Sequence, residues 1–73
     1  MAVVRAGVVG MGFMGDKYAR ILQRLERAEL VAVCDSLPER AEQAGRAFGV
    51  PHYVSADDLL ARAGVQALFV CGP

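Results

Sequence analysis

The sequence has little of what several classes of protein require. Its 73 residues contain two cysteines and no tryptophan, and eight basic side chains balance eight acidic ones. Two cysteines are too few to staple a small secreted domain. A net charge of zero offers no basic surface to the phosphates of a nucleic acid. We therefore expect a reducing compartment and no nucleic-acid partner.

Long apolar runs are also missing. The longest run is far shorter than the ~18–20 residues that cross a bilayer. No series of charged, apolar and small residues of the kind that marks a signal peptide opens the sequence. We expect no membrane partner and a cytoplasmic location. Disorder is excluded as well, because it needs low hydrophobicity and high net charge, whereas 55% of these residues are hydrophobic.

What is present is an alternation of short apolar runs and helical patterns, separated by glycine and proline. The predicted strands are Val3–Val9, Leu30–Cys34, His52–Val54 and Gln66–Cys71. Strands that alternate with helices predict a parallel sheet with right-handed crossovers. The fold class is therefore α/β, a Rossmann-type parallel sheet in the order βαβαβαβ.

Each predicted helix has its own signals. An apolar stripe of Met14, Tyr18, Ile21, Leu22 and Leu25 predicts the core face of the first helix. A capping box from Ser36 to Glu39 opens the second helix, whose apolar positions are Leu37, Ala41, Ala44 and Phe48 and which Gly49 closes. Ser55 and the acids Asp57 and Asp58 open a short third helix.

The glycine pattern Gly10-x-Gly12-x-x-Gly15 lies between the first predicted strand and the first predicted helix. In that context the pattern predicts a phosphate cradle. Gly10 permits the tight turn, Gly12 lets a pyrophosphate approach the backbone, and Gly15 lets the helix pack closely. Free N–H groups near Phe13 and Met14, at the positive end of the helix dipole, would bind the anion. Met14 is expected to face the core, and Phe13 to lean over the cradle.

Asp35 follows Gly15 by 20 positions and ends the second strand. A carboxylate at that edge of the sheet accepts hydrogen bonds from the adenosine ribose, and it would repel a 2′-phosphate. We therefore expect NAD rather than NADP as the cofactor. NADP stays open as the alternative, because Arg40 could reach a 2′-phosphate. Ser36 is expected to serve mainly as a helix cap.

Neither cysteine is expected to be catalytic. Cys34 and Cys71 both end predicted strands, and nothing pairs them with His52, the only histidine. Two cysteines and one histidine do not show the spacing of zinc ligands, so no metal site is expected. We interpret the cysteines as small buried apolar residues.

The whole chain resembles the N-terminal part of the glucose–fructose oxidoreductase, inositol dehydrogenase and MocA (Gfo/Idh/MocA) family of NAD(P)-dependent oxidoreductases. The more specific matches are Glu29-Leu-Val-Ala-Val-Cys-Asp35, Phe48-Gly-Val-Pro51 and the closing run from Ala67 to Pro73. The resemblance implies that Gly10, Gly12, Phe13, Met14 and Gly15 hold the pyrophosphate. It places the adenosine ribose at Asp35, near Ser36 and Arg40. It also sets the loop Cys71-Gly72-Pro73 against the cofactor.

The resemblance further implies that residues 1–73 are a partial dinucleotide-binding domain. The parent enzyme would transfer hydride to or from a sugar, cyclitol or related polyol. None of the family's catalytic residues matches a position in this sequence, so no catalytic residue is assigned. Two alternatives stay open, a non-catalytic dinucleotide-binding module or sensor, and a fragment without activity of its own. A sheet of about four strands would leave an open edge, from which we expect self-association.

Overall fold

The computed structural model describes residues 2–71. Seven elements follow one another: β1 (Val4–Val9), α1 (Phe13–Arg24), β2 (Ala28–Cys34), α2 (Pro38–Phe48), β3 (His52–Tyr53), α3 (Ala56–Arg62) and β4 (Ala67–Val70). All strand pairs are parallel, and the order across the sheet is β3-β2-β1-β4. The predicted α/β class and the alternation of elements are thus confirmed.

The sheet separates two apolar cores. On one face the sheet packs against α1 and α2, through a cluster that includes Val8, Leu22, Val33 and Phe48. On the other face Leu59 of α3, fully buried, packs against Ala32 and Cys34. Because β1 and β2 are covered on both faces, their sequences are mostly apolar and do not alternate between apolar and polar residues.

The buried face of α1 differs from the predicted one. The stripe was predicted to face the core, but only Leu22 of that set is buried, alongside Gly15 and Ala19. The other members are between 38% and 52% exposed: Met14, Tyr18, Ile21 and Leu25. Small residues of α1 face the sheet because the helix lies close to it. Of the larger apolar side chains, Tyr18 stacks on Phe69 of β4.

The helix boundaries confirm some of the predicted signals and correct one. Gly49 ends α2 with a left-handed φ of 68°, and the Ser55 side chain accepts a hydrogen bond from the Asp58 N–H at the start of α3. The capping box from Ser36 was wrong. Leu37, 46% exposed, is the residue before α2, and no side chain caps that end. Pro38 occupies the first helical position, so the helix begins two residues after Ser36.

Candidate functional site

The carboxyl ends of β1, β2 and β4 meet at a cleft of about 710 Å³. Its lining contains nine of the eleven residues predicted to touch a cofactor: Gly10, Gly12, Phe13, Met14, Gly15, Asp35, Ser36, Arg40 and Cys71. The other two, Gly72 and Pro73, lie outside the described residues. Val9, Leu37 and Val70 complete the lining. This is the edge of a parallel sheet at which ligands bind, beside the point where the strand order reverses.

The glycine turn is packed too tightly for any side chain at two of its positions. Gly10 has a φ of +92°, and a Cβ on it would overlap the carbonyl oxygen of Cys71. A Cβ on Gly15 would overlap the Gly10 carbonyl group. The turn is further fixed by two backbone bonds, from the Gly10 N–H to the Cys34 oxygen (2.7 Å) and from the Cys71 N–H to the Val9 oxygen (2.8 Å).

Gly12 is open in a way that Gly10 and Gly15 are not. The nearest atom to a Cβ built on Gly12 would be Arg40 Nη1, 3.8 Å away. Gly12 is also the residue before α1, and no side chain caps that end of the helix. The first intrahelical bond runs from the Asp16 N–H to the Gly12 oxygen, so the N–H groups before Asp16 have no acceptor within the helix. Gly12 therefore leaves space beside unpaired donors, an arrangement that fits a pyrophosphate.

The prediction for Met14 was wrong, and Met11 is the buried methionine of this segment. Met14 was predicted to face the core, but it is 47% exposed and lines the cleft. Met11 is the methionine that enters the core, where it is buried among residues of β1 and α1. Phe13 lies over the cleft as expected and is 85% exposed. Helical spacing placed Met14 on an apolar stripe of α1, but it did not say which stripe of α1 faces the sheet.

Asp35 is the one charged residue that is buried among the described residues, at 5% exposure. Its Oδ2 accepts the Met11 N–H (2.8 Å) and its Oδ1 accepts the Leu37 N–H (2.9 Å). Arg40 Nη1 lies 3.8 Å from Oδ2, and the Arg40 side chain is about half exposed. These partners satisfy a buried carboxylate. Each carboxylate oxygen has a second lone pair, so a ribose hydroxyl can still bind.

The two cysteines differ in burial. Cys34 is 2% exposed, and burial raises the pKa of its thiol, with the negative charges of Asp35 and Asp58 adding to the rise. Cys71 is half-buried and lines the cleft. Both are free thiols. His52 lies on the edge strand β3 and is exposed. Within residues 2–71 no group of three or more metal-ligating side chains is found, and no helix is long and apolar enough to cross a membrane.

The parallel sheet and the glycine turn define a dinucleotide-binding Rossmann domain. A family model described as the oxidoreductase family with an NAD-binding Rossmann fold, Gfo/Idh/MocA, matches residues 4–73, and the chain belongs to that family. The resemblance stated from the motifs is thus confirmed. The predicted cofactor, NAD, agrees with the NAD-binding fold that the family model describes. Solved structures of relatives contain NADH or NAD(H).

Three relatives illustrate the similarity. Inositol 2-dehydrogenase of Rhizobium meliloti is 34% identical over 70 residues, which are 96% of this chain and 21% of that protein. The WlbA dehydrogenase of Bordetella pertussis, solved with NADH and UDP-GlcNAcA, superposes with a TM-score of 0.89 at 35% identity over 97% of this chain and 22% of that one.

The scyllo-inositol dehydrogenase of Lactobacillus casei, solved with NAD(H) and scyllo-inositol, superposes with a TM-score of 0.87 at 26% identity. The match covers 97% of this chain and 22% of that one. The chain thus spans about a fifth of the length of the relatives it matches.

Proposed function

We propose that this chain is the cofactor-binding part of an oxidoreductase that transfers hydride between NAD and a sugar, cyclitol or related polyol. The observation that carries the proposal is the cleft at the switch point of the sheet, in which an open Gly12, uncapped helix donors and the Asp35 carboxylate converge. The substrate class is supported by the relatives named as inositol dehydrogenases.

Each part of the cleft has a proposed role toward NAD. The pyrophosphate passes over Gly12 and accepts hydrogen bonds from the N–H groups at the start of α1. Gly10 and Gly15 keep the turn compact. The Phe13 and Met14 side chains border that position. The adenosine ribose binds Asp35, with Ser36 and Arg40 beside it. Cys71, with Gly72 and Pro73 after it, borders the cofactor on the β4 side. When bound, NAD supplies the hydride acceptor, and this chain binds and orients it.

A second candidate is a dinucleotide-binding module without catalytic activity. Among the described residues that line the cleft, the ionisable side chains are Asp35, Arg40 and Cys71. Asp35 already accepts two backbone N–H groups and Arg40 is a permanent cation, so neither is suited to take a proton from a substrate hydroxyl. This observation favours a chain that binds the cofactor and leaves the chemistry to other residues.

The open edge of the sheet is proposed to cause self-association. β4 pairs with β1 on one side only, and no other described strand lies beside it. Its sequence, Ala67-Leu-Phe-Val70, contains no charge or proline of the kind that protects an edge strand. Val70 is 72% exposed there. Two copies of the chain can therefore pair through this edge.

Titration with NADH tests the binding claim. NADH fluorescence, followed as the chain is added, is expected to show saturable binding, while circular dichroism confirms that the chain is folded. Addition of NAD and myo- or scyllo-inositol to the same sample then tests for turnover, which would be seen as NADH absorbance and would contradict the view that this chain only binds the cofactor. We expect binding without turnover from these 73 residues. A folded chain that binds neither NADH nor NAD contradicts the proposed function.

A further inference from the structure

The turn between β1 and α1 depends on a contact that the glycine motif does not contain. Met11 lies between the end of β1 and the start of α1, and among the described residues no backbone acceptor is found for its N–H. The acceptor that it has is Asp35 Oδ2, at 2.8 Å and buried from solvent. A buried backbone N–H that loses its acceptor destabilises the conformation that holds it.

The same carboxylate also binds the start of α2. Its Oδ1 accepts the N–H of Leu37, the residue before the first turn of α2, at 2.9 Å. One side chain thus joins two backbone segments that are separated by 26 residues between Met11 and Leu37. Hydrogen bonds to an ionised acceptor are about twice as strong as those between neutral groups. The relative position of the glycine turn and α2 is therefore set by Asp35.

We propose that Asp35 is a positioning residue for the phosphate cradle, because it fixes Met11 N–H and with it the conformation of Gly10 to Gly12. This inference rests on the proposed function of the cleft, but it goes beyond a ribose contact. Asp35 holds the turn in the shape that binds a pyrophosphate before any cofactor arrives, and preorganisation of this kind increases affinity. Part of the effect of the carboxylate on binding is therefore independent of the ribose hydroxyls.

Asp35→Ala tests the inference, because it removes both acceptor oxygens, whereas the single oxygen of Asp35→Asn could serve either Met11 or Leu37. Glu42→Gln is the matched control, since it removes one negative charge from the exposed side of α2, where Glu42 pairs with Arg46. Two probes are used: NAD, and an NAD analogue whose adenosine ribose lacks both hydroxyls. Affinities for the full 73-residue chain are measured by calorimetry.

We expect Asp35→Ala to weaken the analogue by about tenfold, the effect of one unsatisfied buried donor, and to weaken NAD by more, because NAD also loses the ribose contact. Glu42→Gln is expected to change neither affinity. A loss for NAD that disappears with the analogue overturns the inference, because the carboxylate then acts through the ribose alone. Equal affinities of the wild type and Asp35→Ala for both probes overturn it as well.

Amide hydrogen exchange without cofactor gives a second readout. In Asp35→Ala, exchange at Met11 is expected to become at least about tenfold faster. The N–H groups of Gly10 and Cys71, which donate to strand carbonyls, serve as internal controls and stay protected. The wild type alone also tests the inference, so the test holds even if the variant does not fold. If the Met11 N–H exchanges as fast as the Phe13 N–H at the uncapped helix start, the inference is overturned. Should the wild type bind neither probe, the proposed function fails, and exchange at Met11 still decides what Asp35 does.

Discussion

Gly12→Ala should separate cofactor binding from stability. The backbone at Gly12 has a φ of −76°, which any residue adopts, and the nearest atom to the new methyl is Arg40 Nη1 at 3.8 Å. Alanine at an unstrained position stabilises by about 0.4–1 kcal/mol through the unfolded chain. Alanine is also a poorer residue than glycine before a helix. The two effects offset each other, so we expect Tm to change by less than about 4 °C.

The effect of Gly12→Ala on NAD binding should be much larger. The methyl occupies the space through which the pyrophosphate is proposed to reach the helix donors. Forcing an extra methyl into a packed contact costs about 1–3 kcal/mol, which corresponds to a Kd that is about 5- to 150-fold weaker. Calorimetric titration with NAD, together with a thermal melt of the same sample, measures both quantities.

Gly15→Ala is the contrasting variant. There the methyl would overlap the Gly10 carbonyl group, which is backbone and cannot turn aside. Although alanine is the better helix former by about 1 kcal/mol, α1 must move away from the turn. We expect Tm to fall by more than about 5 °C, the shift that follows from about 1 kcal/mol. The reasoning is refuted if Gly12→Ala binds NAD within twofold of the wild type, or if Gly15→Ala melts at the wild-type temperature.

Three further predictions concern the rest of the cleft and the sheet edge. Arg40→Met should weaken the affinity for NADP more than the affinity for NAD in calorimetry, because the guanidinium is the cation nearest the ribose site. Arg46→Met on the same helix should change neither affinity, and equal losses for both cofactors would rule out this role of Arg40. Near pH 8, iodoacetamide should label Cys71 before Cys34, because burial and the raised pKa keep the Cys34 thiol protonated. Mass spectrometry gives the order of labelling, and the opposite order would contradict the structure. Val70→Lys should increase the monomer fraction in sedimentation. Val3→Lys, at an exposed position outside β4, should not increase it, and similar self-association of both variants would exclude the β4 edge as the site of pairing.

The titration of Cys34 also gives stability a pH dependence. Its folded pKa is raised above the ordinary value of 9.0, so the unfolded chain releases this proton at a lower pH than the folded chain. The contribution of the neutral thiol is therefore fully present below pH 9.0 and is lost as the pH rises through the folded pKa. Cys34→Ala should remove that part of the decline in Tm at alkaline pH, and an unchanged decline would assign it to other groups.

The sequence by itself determined the order of the elements and the position of the cleft. Two local signals place Gly10 to Gly15 and Asp35 at the same edge of a parallel sheet. One is the glycine spacing after an apolar strand, and the other is the acidic residue that ends the next strand. Membership of the family was accessible for the same reason, because its motifs are local. The fixed hand of parallel crossovers limits the possible strand orders but does not select one. The order β3-β2-β1-β4 was therefore decided by the tertiary structure.

Only the tertiary structure decided which side chains of those segments are buried and which face the cleft. Helical spacing places Met14, Tyr18 and Ile21 on one stripe, but it does not say which stripe faces the sheet. The close approach of α1 selects Gly15, Ala19 and Leu22 instead. The bond from the Met11 N–H to Asp35 likewise joins positions 24 apart, and such a contact exists only once the β1 turn and the end of β2 lie side by side. The local sequence pattern therefore does not predict this hydrogen bond.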